Sequence, residues 1–294
     1  MLKNLIVWLK GIRVHQWSKN LLLFIPLFLA HEMDDPEKLL AALIAFISFS
    51  LCASGGYILN DLLDLKADQL HPSKKYRPLA SGAISFKMGV ILIPILLGMG
   101  FFLALFYLPL FFVKSLVLYF LVSLLYSVYL KKLLLVDVLV LAGLYTLRII
   151  AGAHATRVLI SPWLLAFSMF FFISLAFVKR FSELALFKEE DKKVANRNYL
   201  GSDKTLLASG GTAAGFISVL IFILYINSGD VVRLYHHPFA LWFIAPFLLY
   251  WVTRIWFLAH RGKMNDDPIA FAIRDPISYM VGSIIAFLIH RATG

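Results

Sequence analysis

The chain has 294 residues, of which 61% are hydrophobic and 15% are charged, with a formal net charge of +11. Soluble globular domains are closer to half apolar and a quarter charged, so this composition argues against a soluble protein. The single cysteine, Cys52, excludes an intrachain disulfide, and we interpret it as a small buried hydrophobic residue. No compact basic domain is present, which argues against nucleic acid as a partner.

The first 13 residues predict a helix lying in the membrane interface. Leu2, Leu5, Ile6, Leu9 and Ile12 share one face of such a helix. The segment lacks the long apolar core and the small-residue cleavage site of a signal peptide. A frayed terminus is the alternative that the sequence leaves open.

Nine apolar segments follow, and we interpret each as a transmembrane helix. Residues 39–59 carry no charge and are long enough to cross a hydrocarbon core of about 30 Å as a helix. Continuous apolar runs favour helices over a β-barrel, since all backbone groups must pair internally in lipid. We therefore predict an all-α, polytopic membrane protein in which residues 1–294 form one transmembrane domain. The segments are 20–33, 38–59, 88–108, 111–130, 133–155, 159–178, 205–227, 238–259 and 276–290.

The distribution of Lys and Arg orients these helices. With the N-terminus in the cytoplasm, 21 of the 28 Lys and Arg residues fall on the cytoplasmic side and 5 on the other. This asymmetry follows the positive-inside rule. It predicts a multi-pass protein of the cell (inner) membrane with its C-terminus outside. Anionic lipid headgroups explain part of the cytoplasmic positive charge.

Three aspartates lie just beyond the second apolar segment. Asp61, Asp64 and Asp68 are three and four residues apart, which places them on one face of a continued helix. Like charges at this spacing destabilise a helix unless a cation lies among them. Asn60 adds a neutral oxygen ligand, and Mg²⁺ prefers carboxylates together with substrate phosphates. The pattern favours a metal site over a solvated loop of mixed charge.

A basic loop follows the aspartates directly. Pro72 and Pro78 are expected to end the helix and stiffen this loop. Lys74 or Lys75, together with Arg77, can then reach phosphate oxygens beside the metal. Arg offers a planar fork and Lys a point charge for that purpose. The aspartates and the basic loop together predict a magnesium–diphosphate site at the membrane surface.

Four further basic residues are candidates for the same site. Arg148 lies within the fifth span, where a charge is costly and usually functional. A pair between Arg148 and Asp137 is disfavoured, because eleven residues correspond to about 16 Å along a helix. Lys179 and Arg180 stand where the sixth span leaves the membrane, and snorkelling to the interface is their alternative role. Lys19 opens the first span, where substrate contact and a structural role are equally supported.

The motif Asn60-Asp61-x-x-Asp64-x-x-x-Asp68 resembles the first aspartate-rich motif of the UbiA superfamily of intramembrane prenyltransferases. Its place between the second and third spans, and the count of nine spans, agree with that family. The resemblance implies nine transmembrane helices around a central cavity. It also implies a Mg²⁺-dependent site under a cap on the cytoplasmic side.

The loop between the sixth and seventh spans departs from the family pattern. The family's second aspartate-rich motif is expected in this loop, but the aspartates there are Asp191 and Asp203, twelve residues apart. Basic Lys179 and Arg180 stand at the entrance of the loop instead. This departure argues against ordinary prenyl transfer from an isoprenyl diphosphate.

Three stretches are more similar to one branch of the superfamily, the decaprenyl-phosphate phosphoribosyltransferases. They are HPSKKYRPLASG after the aspartates, QWSKNLLLF at the first span and DDPIAFAIRD before the last. The branch implies transfer of a 5-phosphoribosyl group from phosphoribosyl diphosphate to a polyprenyl phosphate. It implies that Asp61, Asp64 and Asp68 are catalytic residues that hold Mg²⁺ and the donor diphosphate. The substrate-binding residues that it implies are Lys19, Asn60, Lys74, Arg77, Arg148, Lys179 and Arg180.

Two other functions stay open. A UbiA-type prenyltransferase would use the same aspartates to move an isoprenyl group from its diphosphate to an aromatic or lipid acceptor. It would need a second set of metal-binding carboxylates. A transporter would place its binding groups near the membrane midplane, on broken helices in repeated halves. Most of the charge here lies at one surface and no repeat is evident, which disfavours a transporter. A homo-oligomeric assembly is compatible with the sequence.

Overall fold

The fold is all-α, as the sequence predicts. The computed structural model contains α-helices, short 3-10 helices, turns and irregular chain, and no β-strand occurs among the residues that it describes. Those residues are 2–70, 74–185, 198–264 and 267–294.

The chain divides into two compact units, called here the first and the second unit. The first unit consists of Met1–Val128 with Leu147–Leu159. The second unit consists of Tyr129–Thr146 with Ile160–Gly294.

The first unit is organised around one long apolar helix, α3. The elements up to residue 128 are α1 (Leu2–Gly11), a 3-10 helix (Val14–Phe24), α2 (Ile25–Leu29), α3 (Pro36–Leu63), α4 (Leu65–Leu70), a 3-10 helix (Lys74–Tyr76), α5 (Phe86–Tyr107) and α6 (Leu110–Val128). α3 packs most extensively against α5 and also contacts α6 and the 3-10 helix that precedes α2. These contacts make α3 the central support of the first unit.

The second unit is organised around the pair α8 and α9. The elements from residue 129 onward are a 3-10 helix (Leu130–Lys132), α7 (Val136–Thr156), α8 (Pro162–Ala185), a 3-10 helix (Gly201–Asp203), α9 (Lys204–Ile226), α10 (Gly229–Leu234), a 3-10 helix (Pro238–Phe243), α11 (Ile244–His260), α12 (Pro268–Ala272) and α13 (Pro276–Thr293). The last ten residues of α7 count with the first unit. Within the second unit α11 contacts α8, α9 and α13.

Helix α3 begins where local sequence signals place its start. The Asp35 carboxylate accepts hydrogen bonds from the backbone N–H groups of Glu37 and Lys38, at 3.0 and 3.2 Å. Pro36 occupies the first helical position, where the missing N–H costs no helical hydrogen bond. An N-cap of this type stabilises a helix by about 1 kcal/mol. The cap and the proline therefore fix the end of α3 that lies opposite the predicted metal site.

Small side chains allow α3 and α5 to approach closely. The Ser48 hydroxyl on α3 donates a hydrogen bond of 2.8 Å to the carbonyl oxygen of Gly100 on α5. A Cβ at Gly100 would lie only 2.8 Å from the carbonyl oxygen of Ser48 and would also collide with the sulfur of Cys52. Cys52 is fully buried, as the sequence predicts. Small residues at such contacts are typical of helix packing in membranes, where close backbone approach replaces the hydrophobic driving force.

Within the described ranges, seven helices are long and apolar enough to cross a membrane, judged by length and composition. Each of them overlaps one of the nine predicted segments. The predicted segment 20–33 is instead divided between the end of a 3-10 helix and the five-residue α2, which has Pro26 near its start. The predicted segment 276–290 lies within α13, a helix of 18 residues. The count of nine spans stays a prediction. The seven helices are Pro36–Leu63, Phe86–Tyr107, Leu110–Val128, Val136–Thr156, Pro162–Ala185, Gly201–Ile226 and Pro238–His260.

Gly152 on α7 provides a test of packing within the first unit. A Cβ at this position would meet the backbone carbonyl of Leu23 well inside van der Waals contact. Backbone atoms cannot swing aside as a side chain can, so we expect Gly152→Ala to lower the free energy of unfolding by about 1–3 kcal/mol. The measurement is thermal unfolding of the detergent-solubilised protein, followed by size-exclusion chromatography.

Gly143→Ala is the matched control, because a Cβ at Gly143 on the same helix would meet nothing within 4 Å. Alanine favours a helix over glycine by up to about 1 kcal/mol, so this variant should unfold at or slightly above the wild-type temperature. Equal unfolding temperatures for the two variants would contradict the packing around Gly152.

Candidate functional site

The predicted aspartate motif lies at the junction of α3 and α4. α3 ends at Leu63, and Asp64 forms its C-cap with φ −91° and ψ 7°. The helical hydrogen bonds nevertheless continue through the junction, from Asp64 N–H to the Asn60 carbonyl at 2.9 Å and from Asp68 N–H to the Asp64 carbonyl at 2.8 Å. The predicted continuous helix is thus interrupted at one residue. Asp61 and Asp68 still reach a common partner, which confirms that they share a face.

That common partner is an arginine of the following basic loop. The Nη1 atom of Arg77 donates to Asp61 Oδ1 at 3.0 Å and to Asp68 Oδ2 at 2.6 Å. A second arginine, Arg13, donates through Nε to Asp61 Oδ2 at 3.2 Å and through Nη2 to Asp61 Oδ1. Both oxygens of Asp61 are therefore engaged by guanidinium groups. Charge-assisted hydrogen bonds of this kind are about twice as strong as neutral ones.

The arginines lie nearer to solvent than the acids they bind. The side chains of Asp61 and Asp68 are 6% and 4% exposed, whereas those of Arg13 and Arg77 are 18% and 28% exposed. A buried carboxylate needs a partner that compensates its lost hydration. The two guanidinium groups supply that compensation and cover the carboxylates from the outside.

Sequence reasoning did not identify Arg13 as a site residue. It lies 48 positions from Asp61 and follows directly on α1, so the sequence associates it with the interfacial helix. Its backbone adopts the left-handed conformation, with φ 55° and ψ 44°, between α1 and the next 3-10 helix. Its guanidinium also lies over the ring of Tyr57, 5.3 Å from the centroid. The available signal was the aspartate motif itself, which requires cations among its like charges.

The donor chemistry of this cluster fits Mg²⁺. Carboxylates, supplemented by an amide oxygen and substrate phosphates, are the ligands that this ion prefers. Asp61, Asp64 and Asp68 lie along one short stretch, and Asn60 is partly buried beside them. Across the described ranges, however, no three acidic, histidine or cysteine side chains are grouped closely enough to hold an ion together. The carboxylates are arranged around arginines in this structure.

The other predicted residues of the basic loop and of the motif have distinct surroundings. Lys74 lies in a 3-10 helix and is exposed. Asn60 lines a narrow crevice between α3 and α6, together with Ser123 and Ser127. Pro72 lies outside the described residues.

Arg148 is buried within the first unit, among partners contributed by three other helical segments. Its Nε donates to Asn20 Oδ1 at 3.0 Å, and its Nη2 donates to the Tyr119 hydroxyl at 2.7 Å. Asn20 in turn donates to the hydroxyl of Ser50 at 2.9 Å, which links Arg148 to α3. The guanidinium also faces the ring of Phe49, 5.6 Å from its centroid. Lys19, beside Asn20, is 8% exposed. The expectation that Arg148 does not pair with Asp137 agrees with these contacts.

Asp137 instead binds Arg180 inside the second unit. Arg180 Nε donates to Asp137 Oδ2 at 2.5 Å, and Arg180 Nη1 donates to Glu183 Oε2 at 2.6 Å. The Tyr199 hydroxyl donates to Asp137 Oδ1 at 2.6 Å and accepts from the Leu135 N–H at 3.1 Å. Burial, followed by the hydrogen bond to Asp137, raises the pKa of Tyr199. With side chains only 1% and 0% exposed, Arg180 and Asp137 form a buried pair that joins α8 to the start of α7.

Lys179, the neighbour of Arg180, binds an acid from the last polar loop. Its Nζ lies 2.9 Å from Asp267 Oδ2. The Tyr145 hydroxyl donates to the same carboxylate at 3.1 and 3.2 Å. Asp267 also caps α12 by accepting from the Ile269 N–H at 3.1 Å. Lys179 is thus held in the second unit by a carboxylate that lies outside the aspartate motif, in the stretch DDPIAFAIRD. The acidic residues Glu189, Glu190 and Asp191 of the loop after α8 lie outside the described residues.

A family model and several known proteins match this chain. The model described as the UbiA prenyltransferase family matches residues 21–274. The Sinorhizobium fredii protein y4nM, which is described as uncharacterized, is 40% identical over 95% of the chain. The chain spans 54% of the length of y4nM. The nodulation protein NoeC of Azorhizobium caulinodans is 33% identical over 96% of the chain and 90% of its own length.

Some of the relatives carry a name that specifies a reaction. The decaprenyl-phosphate phosphoribosyltransferase of Mycobacterium tuberculosis is 32% identical, with 95% of this chain and 94% of that protein covered. Among solved structures, a UbiA homologue from Archaeoglobus fulgidus bound to GPP and Mg²⁺ superimposes with a TM-score of 0.69. It covers 97% of this chain and 98% of its own, at 15% identity, and so shows the fold. The apolar helices and these matches indicate an integral membrane protein, and the chain belongs to the UbiA prenyltransferase family.

Proposed function

We propose that this protein transfers a 5-phosphoribosyl group from phosphoribosyl diphosphate to a polyprenyl phosphate and releases diphosphate. The observation that carries the proposal is the 32% identity, over 95% of the chain, to a decaprenyl-phosphate phosphoribosyltransferase. The names of y4nM and NoeC, at 40% and 33% identity, specify no reaction. The buried cluster of aspartates and arginines supplies groups of the kind that a diphosphate donor requires.

The chemistry needs little acid–base catalysis. The acceptor is a phosphomonoester, whose second pKa is about 6, so it is largely ionised near neutral pH. One of its oxygens forms a bond to the anomeric carbon of ribose while the bond from that carbon to the diphosphate oxygen breaks. We expect inversion at this carbon and a loose, cation-like transition state. The main tasks of the protein are to align two polyanions and to stabilise the departing charge.

The acidic residues would bind the metal ion, and the basic residues would bind the substrate phosphates. Mg²⁺ held by Asp61, Asp64 and Asp68 would neutralise charge on the departing diphosphate when bound. Arg77 and Lys74 would hold the phosphates of the donor through a planar fork and a point charge. Asn60 would add a neutral oxygen ligand beside the aspartates. Candidates for binding the lipid phosphate or the 5-phosphate of the donor are Lys19, Arg148, Lys179 and Arg180.

Arg180 is the least accessible of these candidates. Its side chain is 1% exposed and already donates to both Asp137 and Glu183. Removing one member of a buried ion pair costs about 3–5 kcal/mol, because the other charge is left without compensation. These contacts favour a role for Arg180 in holding α8 against the start of α7. Its role as a phosphate ligand stays a prediction.

The orientation in the membrane belongs to the same proposal. Nine spans, with the N-terminus in the cytoplasm and the C-terminus outside, would place the aspartate motif at the cytoplasmic face of the inner membrane. Both substrates fit that location, since phosphoribosyl diphosphate is water-soluble and a polyprenyl phosphate exposes its headgroup at the surface.

Isoprenyl transfer is the second candidate, and the description of the matching family model favours it. Its donor is also a diphosphate, so the aspartate motif serves either reaction. Purified protein supplied with labelled phosphoribosyl diphosphate and polyprenyl phosphate should form a labelled lipid without any isoprenyl diphosphate. A product that forms only when isoprenyl diphosphate is added would reject the phosphoribosyl reaction and favour prenyl transfer.

Asp64→Asn tests the assignment of the aspartate motif. We expect turnover to fall by about 100-fold or more, beyond the 10–100-fold typical of residues that only support a metal ligand. The rate of labelled-lipid formation is the measurement, and the variant should still insert and purify. Asp35→Asn at the opposite end of α3 is the control, because Asn remains a good N-cap. Near-normal turnover of Asp64→Asn would remove this residue from the site.

Removal of divalent metal tests the same site without mutation. Excess EDTA should stop turnover, added Mg²⁺ should restore it, and Mn²⁺ should restore it in part, since Mn²⁺ also accepts oxygen ligands. Initial rates over a metal titration provide the measurement. Full activity in the presence of the chelator would contradict a metal role for the aspartates.

A further inference from the structure

Four of the charged groups at the α3–α4 junction form ion pairs with one another. Two carboxylates, of Asp61 and Asp68, are bound by two guanidinium groups, of Arg13 and Arg77. Asp61 binds both arginines, and Arg77 binds both acids, so the four form one connected network. Both oxygens of Asp61 and one oxygen of Asp68, which a cation would need, are therefore already bound by arginine.

Charge balance limits what can bind to this network. A divalent cation that bound alone would add two positive charges beside two arginines, with both acids nearly buried. A diphosphate that bound alone would bring negative charge towards buried carboxylates. A cation and a diphosphate arriving together avoid both costs, since each new charge then has a partner. Arginine also suits the second role, because its planar fork matches phosphate oxygens as well as carboxylates.

The backbone around Arg13 is held so that only its side chain needs to move. The Ser54 hydroxyl on α3 donates to the Ile12 carbonyl oxygen at 2.6 Å, directly before Arg13. The indole N–H of Trp17 donates to the same hydroxyl at 3.0 Å. Arg13 itself keeps a left-handed backbone, which a residue other than glycine adopts only where its surroundings enforce it. The backbone beside Arg13 is thus anchored on α3, and the guanidinium, on a side chain that is 18% exposed, binds Asp61.

We propose that Arg13 binds the diphosphate of the donor and exchanges partners when the donor arrives. In the structure Arg13 binds Asp61. When a diphosphate binds with its divalent cation, the guanidinium turns to the diphosphate and releases the oxygens of Asp61 to the cation. The exchange requires a diphosphate donor, and this is the only part of the proposed function on which it depends. It predicts that cation and diphosphate strengthen each other's binding, and that Arg13 carries this coupling.

Binding of Mn²⁺ measured by equilibrium dialysis tests the exchange without any turnover. Radioactive Mn²⁺ is titrated against purified protein with and without inorganic pyrophosphate. The pyrophosphate equilibrates across the dialysis membrane. For the wild-type protein we expect pyrophosphate to tighten Mn²⁺ binding about tenfold or more, the gain expected from one charge-assisted hydrogen bond. Equal affinity with and without pyrophosphate would overturn the proposal from the wild-type data alone.

Arg13→Gln assigns the coupling to this residue. Removal of the competing guanidinium should tighten Mn²⁺ binding in the absence of pyrophosphate and reduce the pyrophosphate effect to less than about threefold. Arg13→Lys, which keeps the charge but loses the fork, should give an intermediate effect and serves if the Gln variant does not fold. An undiminished pyrophosphate effect in a folded Arg13 variant would overturn the role of Arg13.

Arg254→Gln is the matched control. Arg254 forms a two-point ion pair with Asp275 in the second unit, at 2.7 and 2.9 Å, so its loss also breaks a bond between arginine and aspartate. Both Mn²⁺ affinities should stay at the wild-type values, and a change equal to that in Arg13→Gln would overturn the assignment. Intact coupling in a protein that fails to use phosphoribosyl diphosphate would reject only the proposed reaction, because pyrophosphate is common to both donor classes.

Discussion

A carboxylate that is almost fully buried at the end of an apolar helix constrains the whole first unit. Asp61 is 5% exposed, and its charge is compensated by Arg13 from the N-terminal segment and Arg77 from the loop after α4. These arginines lie 48 and 16 residues away along the chain. The need to pair one buried charge thus draws an N-terminal segment and a distant loop to the same end of α3. Breaking such a pair on one side costs about 3–5 kcal/mol, a large part of the stability of a domain.

In the second unit, too, acidic side chains form ion pairs with basic residues from other segments. Asp137, with a side chain that is 0% exposed, is held by Arg180 and Tyr199, and Lys179 is held by Asp267. In each case an acid from one segment fixes a cation on α8. The adjacent basic residues Lys179 and Arg180 on α8 therefore make different structural contacts. Arg180 joins helices inside the protein, whereas Lys179 ties α8 to the segment that begins α12.

The sequence predicts most of the helices and the composition of the acidic motif, because both depend on local patterns. Apolar runs locate seven long helices, and the spacing of Asp61, Asp64 and Asp68 indicates a shared face. The segment 20–33 illustrates the limit of that approach. Hydropathy measures only how apolar a segment is. It gives no information on the missing N–H of Pro26, which lies at the start of a short helix that follows a 3-10 helix.

The partners of the charged residues could not be predicted in the same way, since they depend on tertiary structure. In the sequence Arg13 lies at the end of the predicted interfacial helix, and only the tertiary structure brings it to Asp61. Arg180 stood at a helix end where basic residues commonly reach lipid or substrate, yet its side chain is 1% exposed. A local pattern shows that a charge is present. The burial of that charge, and hence whether it needs a protein partner, is decided by contacts far away in sequence.

Under the proposed function, the cluster at the α3–α4 junction would recognise the diphosphate, which is the part of the substrate that both candidate reactions share. A phosphoribosyl donor and an isoprenyl donor each lose a diphosphate, so aspartates and arginines placed around that group cannot distinguish them. Discrimination must come from residues that contact the transferred group, which is polar and carries a phosphate in one case and is apolar in the other. A second phosphate on the donor requires additional buried or partly buried cations, and an isoprenyl chain requires none. Under the proposed function, the choice between the two reactions would therefore depend on basic residues beyond the aspartate motif, such as Lys19.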